Sequence, residues 1–232
     1  NVEETFGKFR GEVDVIIGGP PCQGFSQKGQ RKSVLDERNF LFRYYYEVVK
    51  CVMPKYFVME NVPNLLTAEQ GYFKGEIYEL FASIGYTLNS AVLNAADFGV
   101  PQNRNRTCII GRLGDKKVEM PKPCDSKVTI WDAISDLAYL NSGEGDEQQA
   151  YRFEAHTEYQ VSLRRNSNCL HNHVSTKHSK LALERLAMIP PNGGKDDLPE
   201  EHHTKSIYSG TWTRMRKEEQ SVTITTRFDT PS

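Results

Sequence analysis

The sequence contains no long apolar run, and this absence excludes membrane-spanning proteins. Across the 232 residues, no continuous apolar segment approaches the roughly 20 residues that a transmembrane helix needs. Residues 1–10 are mostly polar and charged, where a secretory signal would carry an apolar stretch. We therefore expect a soluble protein of the cytoplasm that has no membrane partner.

Cysteine is scarce, and its spacing argues against a disulfide framework. The five cysteines are an odd number, lie far apart and include no Cys-x-x-Cys pair. This pattern favours free thiols in a reducing compartment. A small secreted scaffold held together by disulfides is therefore excluded.

Surplus positive charge is missing as well. The formal net charge is -1, whereas proteins that coat nucleic acids nonspecifically draw on an excess of lysine and arginine. The charges are uneven, however, with an acidic stretch at 144–147 and a basic cluster at 104–117. A local basic cleft in a neutral protein therefore stays open.

The apolar residues present alternate between strand-like and helix-like patterns. Strands are predicted at 13–17, 56–59, 87–94 and 107–110. Helices are predicted at 40–52 and 75–84, the second ending at a Gly85 cap. Strands separated by helices indicate an α/β fold with a doubly wound, mostly parallel sheet and helices on both faces.

This alternation fades after residue 112. Short helices are predicted at 129–137 and 175–188, with an acidic loop at 141–149. We therefore predict an α/β domain at 1–112, a smaller loop-rich region at 113–215, and a return to the first domain at 216–232.

Two reactive side chains follow predicted strands. Cys22 comes after the first strand through the turn at 18–21, and Glu60 directly follows the second. Reactive groups of open α/β sheets gather beyond the carboxyl ends of the strands. The pair would suit a nucleophile and a proton donor that face one substrate. Spacing alone leaves this undecided, since a lone cysteine is usually a small buried hydrophobe and a glutamate at a strand end is usually solvated.

Three motifs carry a family resemblance. The segments GGPPCQGFS at 18–26, ENV at 60–62 and QNRNR at 102–106 resemble, in order, the nucleophile loop, the catalytic glutamate motif and the paired-arginine motif of the DNA cytosine-5 methyltransferases. The GGPPCQGFS segment is closer to that of the bacterial modification enzymes. The segment 221–227 looks like the family's late motif. The resemblance implies a Rossmann-like S-adenosylmethionine-dependent methyltransferase fold and makes 113–215 a target-recognition region.

The resemblance also implies a reaction. The protein would transfer a methyl group from S-adenosyl-L-methionine to carbon-5 of a cytosine in double-stranded DNA. Cys22 would attack carbon-6 of the base, and Glu60 would protonate or hydrogen-bond ring nitrogen-3. Arg104 and Arg106 would bind the base carbonyl oxygen or orient the loop. Because a stacked base exposes neither ring face to a thiol, the target nucleotide has to flip out of the duplex.

Further contacts follow from the same resemblance. Pro20 and Leu41 are the implied cofactor-binding positions. The positions implied to contact DNA or the flipped base are Gln23, Ser26, Lys28, Asn61, Val62 and Gln102. Core packing is the alternative for Val62, and an ordinary solvated loop is the alternative for the polar residues after Cys22. Cys169, His171, His173 and His178 could be read as a zinc site, but structural zinc sites usually show paired ligands at tighter, repeated spacing. We therefore predict no metal site and assign the histidines to the recognition surface.

The sequence departs from the family pattern at both ends. The family's Gly-rich cofactor motif and its acidic ribose partner do not precede the nucleophile strand, and the family's closing helix does not follow residue 232. We therefore expect a partial chain, or one subunit of a split enzyme, that binds S-adenosylmethionine poorly as written. We expect a monomer, and a cognate restriction endonuclease stays open as a partner.

Two other functions remain open at this point. One is an RNA cytosine-5 methyltransferase that modifies transfer RNA, although the Cys-Phe-Thr signature of that branch is absent. The other is a non-catalytic DNA-binding relative. The joint presence of Cys22, Glu60 and Arg106 argues against the second, because an inert protein has no chemical need for all three.

Overall fold

The structure is a computed structural model that describes residues 1–21, 41–204 and 212–224. The chain divides into two compact units. Unit 1 consists of Asn1–Asn94 and Asn105–Pro123, and unit 2 consists of Ala95–Arg104 and Cys124–Ser232. No helix among the described residues is long and apolar enough to cross a membrane.

Unit 1 is built on a four-stranded sheet. Its strands are β1 (Val15–Gly18), β2 (Tyr56–Asn61), β3 (Tyr86–Asn94) and β4 (Asn105–Leu113), in the spatial order β1-β2-β4-β3. β1 and β2 are parallel, whereas β4 is antiparallel to both β2 and β3. The carboxyl ends of β1 and β2 and the amino end of β4 therefore meet at one edge of the sheet.

The described residues of unit 1 also form three α-helices: α1 (Val2–Phe6), α2 (Phe42–Val52) and α3 (Tyr72–Ser83). The α3 residues Phe73, Ile77 and Phe81 recur every four positions and are fully buried, as expected for one helical face turned to a core. α2 ends at Met53 in the left-handed conformation, immediately before Pro54, which cannot continue a helix.

The core beneath the sheet is aromatic. The rings of Phe57 on β2 and Phe81 on α3 lie 4.2 Å apart between centroids, and Tyr86 packs edge-on against Phe57 at 5.3 Å. A side chain at Gly111 on β4 would collide with the Phe57 ring. The absence of a Cβ at Gly111 therefore lets β4 lie flat against β2, which fixes the position of the residues at the end of β2.

The predicted elements of unit 1 are confirmed to within a few residues, as is its α/β class. The sheet is more mixed than expected, with one parallel and two antiparallel pairs among the described strands. The link from β3 to β4 contains only the short 3-10 turn Ala95–Phe98. Because parallel neighbours need a long crossover, this short link leaves β3 and β4 antiparallel.

The described residues of unit 2 form three short α-helices and a two-stranded ribbon. They are α4 (Ile130–Ile134), β5 (Gly145–Gln149), α5 (Glu158–Arg164), β6 (Leu170–Val174) and α6 (Lys180–Met188). The predicted helices at 129–137 and 175–188 are present but shorter. The acidic loop predicted at 141–149 is partly wrong, because 145–149 pairs with β6 as an antiparallel strand. Its sequence GDEQQ has little intrinsic β preference, so the pairing depends on the distant partner.

The two units divide the chain differently from the predicted domains. The predicted boundary at 112 falls within β4, and unit 1 continues to Pro123. Residues 95–104, predicted with the α/β domain, group with unit 2, as do residues 216–224. The reason is direct hydrogen bonding within unit 2, where Asn103 N–H donates to Ser221 O at 2.8 Å.

Candidate active site

The chain that leads to Cys22 runs beside Glu60. Gly18 at the end of β1 is in register with Met59 on β2, so Gly19 and Pro20 continue alongside Glu60 and Asn61. The Asn61 side-chain amide donates to Pro20 O at 2.8 Å, and Asn61 is only 5% exposed. Asn61 therefore anchors the backbone that leads to Cys22, a role that its predicted contact with DNA or the flipped base did not include.

Gly19 gives the Glu60 carboxylate its space. A Cβ at Gly19 would lie 3.0 Å from Glu60 Oε2, closer than ordinary van der Waals contact. The absence of a side chain therefore lets the backbone that precedes Cys22 approach the carboxylate. Glu60 and this backbone segment share one location at the end of the sheet.

Tyr45 on α2 supports the same edge from within the core. Its hydroxyl lies 3.0 Å from both Ile16 O and Val58 O, on the two neighbouring strands. Burial raises the pKa of Tyr45 well above its ordinary value, so the hydroxyl stays a donor. A Cβ at Gly18 would lie 2.5 Å from the Tyr45 ring. Two different neighbours therefore favour glycine here: the Tyr45 ring leaves no room for a side chain at Gly18, and the Glu60 carboxylate leaves little at Gly19.

Arg106 pairs directly with Glu60. Arg106 lies at the start of β4, and its Nε is 2.7 Å from Glu60 Oε1. Its Nη1 donates to Asn105 O at 2.8 Å, which fixes the guanidinium at a second point. The Glu60 side chain is 46% exposed and that of Arg106 is 27% exposed. The carboxylate is thus held by a cation and remains open to a substrate.

Among the described residues, Cys108 carries a thiol near this carboxylate. It is the cross-strand partner of Glu60 in the β2–β4 pairing. Burial, and then the charge of Glu60, raises the pKa of the Cys108 thiol. Because the thiolate is the nucleophilic form, Cys108 is poorly suited to attack a substrate. Nothing in its sequence context distinguished this position, since the neighbour is on another strand.

A family comparison agrees with these motifs. A family model described as C-5 cytosine-specific DNA methylase matches residues 1–230. The chain belongs to this methylase family. It is 37% identical over 217 residues to the type II methyltransferase M1.HphI of Haemophilus parahaemolyticus, covering 92% of this chain and 52% of that protein. It is 40% identical over 201 residues to M.DdeI of Desulfomicrobium norvegicum, covering 82% and 48%.

The methylase chain thus spans about half the length of these relatives. A solved structure, described as that of a DNA modification methyltransferase encoded within an Escherichia coli prophage, matches with a TM-score of 0.68 at 23% identity. The match covers 96% of this chain and 66% of that one. This likeness shows the fold, and the predicted family resemblance is confirmed.

The paired-arginine motif of the methylase is split between the two units. Arg106 belongs to unit 1, whereas Gln102 and Arg104 belong to unit 2. Gln102 forms a bridge with Ser221, and Arg104 O accepts from Ala95 N–H at 3.0 Å. The structure therefore brings Pro20, Glu60, Asn61 and Arg106 together and places the other two residues in a separate hydrogen-bonded segment.

The remaining predicted positions of the methylase have mixed outcomes. Cys22, Gln23, Ser26 and Lys28 lie outside the described residues. Leu41 is the residue before α2, and its carbonyl accepts from Tyr44 N–H at 3.1 Å. Val62 packs against the core of unit 1, which is the alternative that its apolar side chain left open.

The cluster of Cys169 with the histidines at 171, 173 and 178 does not converge on one point. Cys169 Sγ lies 3.3 Å from His171 Nε2, but His173 Nε2 contacts Ala138 O instead, at 2.8 Å. Across the described segments, no group of three or more histidine, cysteine, aspartate or glutamate residues is arranged to hold a metal ion.

The space at Gly19 yields a direct prediction. Gly19 does not adopt the left-handed backbone conformation, so Gly19→Ala acts only through its added Cβ, which pushes on Glu60 Oε2. We expect the turnover number kcat for DNA methylation to fall about tenfold, because small misplacements of a reacting group are costly. Steady-state kinetics on duplex DNA measure this.

The matched control for that substitution is Gly75→Ala. Gly75 lies within α3, and a Cβ there would meet nothing within 4 Å. We expect unchanged kcat and a free energy of unfolding raised by up to about 1 kcal/mol, since alanine favours helix. Equal kinetics for Gly19→Ala and wild type would show that the Glu60 position tolerates displacement.

Proposed function

We propose that the intact protein is a DNA (cytosine-5)-methyltransferase acting on a cytosine in duplex DNA. The observation that carries this proposal is the 2.7 Å pair between Glu60 and Arg106, located beside the backbone that leads to Cys22. Membership of the C-5 cytosine-specific DNA methylase family supports it. The names of the type II methyltransferase relatives agree with methyl transfer as the reaction.

The chemistry explains why a thiol is needed. Carbon-5 of cytosine is a poor nucleophile, so electrons have to be pushed into the ring first. The Cys22 thiolate adds to carbon-6, forming a sulfur–carbon bond and making carbon-5 electron-rich. After carbon-5 is methylated, removal of its proton restores the ring double bond and expels the Cys22 thiolate. The product is 5-methylcytosine, and the enzyme returns to its starting form.

Glu60 would act on the opposite side of the ring. Its Oε1 is bound by Arg106, whereas Oε2 faces Gly19 on the nucleophile-loop side. We assign Oε2 to ring nitrogen-3, where a hydrogen bond or proton stabilises the charge that develops as Cys22 adds. Arg106 fixes the carboxylate orientation, and Arg104 is proposed to hold the base carbonyl or the adjoining loop.

S-Adenosylmethionine would supply the methyl group as an electrophile at carbon-5. Pro20 and Leu41 are the described positions proposed to contact it. Both are half-buried and apolar, so part of each side chain is available for van der Waals contact. The Pro20 carbonyl is already bound by Asn61, which leaves its ring as the contacting group.

The DNA substrate implies base flipping and a recognition surface. The thiol needs access to a ring face that stacking covers in a duplex, so the target cytosine leaves the helix. Gln23, Ser26, Lys28 and Gln102 are proposed as contacts to the DNA or the flipped base, whereas Asn61 binds Pro20 O and Val62 packs against the core. We also propose a monomer that acts in a bacterial cytoplasm. The type II names of the relatives support a role in protecting sites from a cognate restriction endonuclease.

A substrate comparison tests this function. The intact protein is incubated with S-adenosylmethionine carrying a tritiated methyl group and with either mixed-sequence duplex DNA or transfer RNA. We expect label in DNA only, recovered as 5-methyldeoxycytidine after nuclease digestion. Label in transfer RNA would favour the RNA methyltransferase. Binding of duplex DNA without any methyl transfer would favour the non-catalytic relative.

A further inference from the structure

The chain passes from unit 2 to unit 1 close to Arg106. The division between the units falls between Arg104 and Asn105, inside the paired-arginine motif. Whatever holds the preceding segment in unit 2 therefore acts on the backbone only a few residues before Arg106. The hydrogen bonds of residues 101–105 show how this segment is held.

On the unit 2 side, residues 101–103 are bound to the segment 221–223. Ser221 N–H donates to Pro101 O at 2.9 Å, and Asn103 N–H donates to Ser221 O at 2.8 Å. The Thr223 hydroxyl then donates to Asn103 O at 2.8 Å, a contact between residues 120 positions apart. These three bonds, called the Thr223 clamp below, join two motifs that the sequence presents separately.

Each residue from Asn103 to Asn105 has a hydrogen-bonded carbonyl, and the next residue, Arg106, pairs with Glu60. Asn103 O accepts from Thr223, Arg104 O accepts from Ala95 N–H at 3.0 Å, and Asn105 O accepts from Arg106 Nη1 at 2.8 Å. Three consecutive carbonyls are thus each fixed by a donor. The Nε atom of the same Arg106 side chain lies 2.7 Å from Glu60 Oε1. A shift of this segment would therefore move Arg106 relative to the Glu60 carboxylate.

We propose that Thr223 is a positioning residue for methyl transfer. Its hydroxyl fixes the Asn103 carbonyl, and through the segment 103–105 it sets the orientation of Arg106 toward Glu60. The conformation of residues 221–223 in unit 2 is thereby coupled to formation of the Glu60–Arg106 pair. This inference deepens the proposed function and rests on it.

The chain offers conservative variants and a matched control. Thr223→Val keeps the branched shape but removes the donor, and Thr223→Ser keeps the donor. Thr87→Val is the control, because the Thr87 hydroxyl donates to Gly114 O at 2.7 Å in an equally exposed position of unit 1. Both valine variants lose one hydroxyl-to-carbonyl bond, but only one of these bonds belongs to the clamp.

The kinetic test separates positioning from DNA contact. For Thr223→Val we expect kcat to fall about two- to tenfold, the range that one net hydrogen bond supplies, with KM for duplex DNA unchanged. Thr223→Ser is expected to restore kcat, and Thr87→Val to match wild type. A raised KM with normal kcat would instead make Thr223 a DNA contact and would overturn the proposal, as would equal kcat for both valine variants.

A second readout does not depend on activity. Amide hydrogen exchange of the peptide covering 103–107 is measured in the intact protein, with the peptide around Thr87 as an internal reference. We expect exchange in 103–107 to be about two- to tenfold faster in Thr223→Val than in wild type, since one hydrogen bond of the segment is lost. An unchanged exchange rate in this peptide would contradict the proposal that Thr223 holds the segment 103–105.

The two readouts also separate this inference from the proposed function. If the wild-type protein transfers no methyl group to cytosine in DNA, the proposed function fails, and the coupling to methyl transfer fails with it. If wild type is active, faster exchange without a loss of kcat would contradict coupling to the catalytic pair. Faster exchange with a lower kcat would support it.

Discussion

Cys22→Ala is expected to abolish the covalent complex between the methylase and DNA that contains 5-fluorocytosine. Fluorine at carbon-5 cannot leave as a proton does, so an enzyme that has added its thiol to carbon-6 and transferred the methyl group stays attached. Without Cys22 the sulfur–carbon bond cannot form. We expect kcat on ordinary DNA to fall at least about 10⁴-fold, as when a nucleophile is removed from a group of residues that act together.

The measurement is denaturing gel electrophoresis of the protein with fluorinated duplex DNA and S-adenosylmethionine. Cys124→Ala serves as the matched control, because Cys124 is an exposed thiol of unit 2. We expect the control to form the complex at the wild-type rate. DNA binding by Cys22→Ala, followed by a mobility shift, should persist. A complex that survives in Cys22→Ala would contradict the covalent mechanism.

Glu60→Gln is the second substitution with a large expected effect. It keeps the side-chain length but replaces a carboxylate that Arg106 binds at 2.7 Å. The amide can donate a hydrogen bond to ring nitrogen-3 but cannot deliver a proton, so the charge that develops during thiol addition is stabilised less. We expect kcat to fall about 10²- to 10⁴-fold, the usual contribution of general acid–base catalysis, while DNA binding persists.

Glu76→Gln provides the control for that experiment. Glu76 also binds an arginine in unit 1, since Arg43 Nε lies 2.7 Å from Glu76 Oε1, but it is remote in sequence from every catalytic motif. We expect kcat of Glu76→Gln to remain near wild type even if the protein is somewhat less stable. Comparable losses in both variants would indicate that arginine–glutamate pairs matter here for stability, and would remove Glu60 from the chemistry.

Much of the candidate site at this edge of the sheet could be predicted from sequence because its parts are local. The strand before the GGPP turn and the strand before Glu60 were evident from short apolar runs, and both are confirmed as β1 and β2. Since β1 and β2 are parallel neighbours, residues at their carboxyl ends meet. The proximity of Glu60 to the stem of the Cys22 loop follows from that arrangement.

Other parts of the site could not be predicted, because their partners lie on separate segments. Tyr45 appeared only as one apolar position of a helix, yet its hydroxyl contacts the carbonyls of both β1 and β2. Asn61 was predicted to contact DNA or the flipped base, yet it binds Pro20 O. Whether a polar group at these positions faces substrate or backbone depends on packing that no local pattern records.

The amino-acid sequence by itself determined the family, the order of the catalytic motifs and the strands that present them, since each is encoded in a few neighbouring residues. Only the tertiary structure decided that 145–149 is a strand, that Arg104 and Arg106 belong to different units, and that Thr223 binds Asn103 across 120 positions. These outcomes depend on hydrogen bonds between distant segments, whose pairing is selected by the folded chain as a whole.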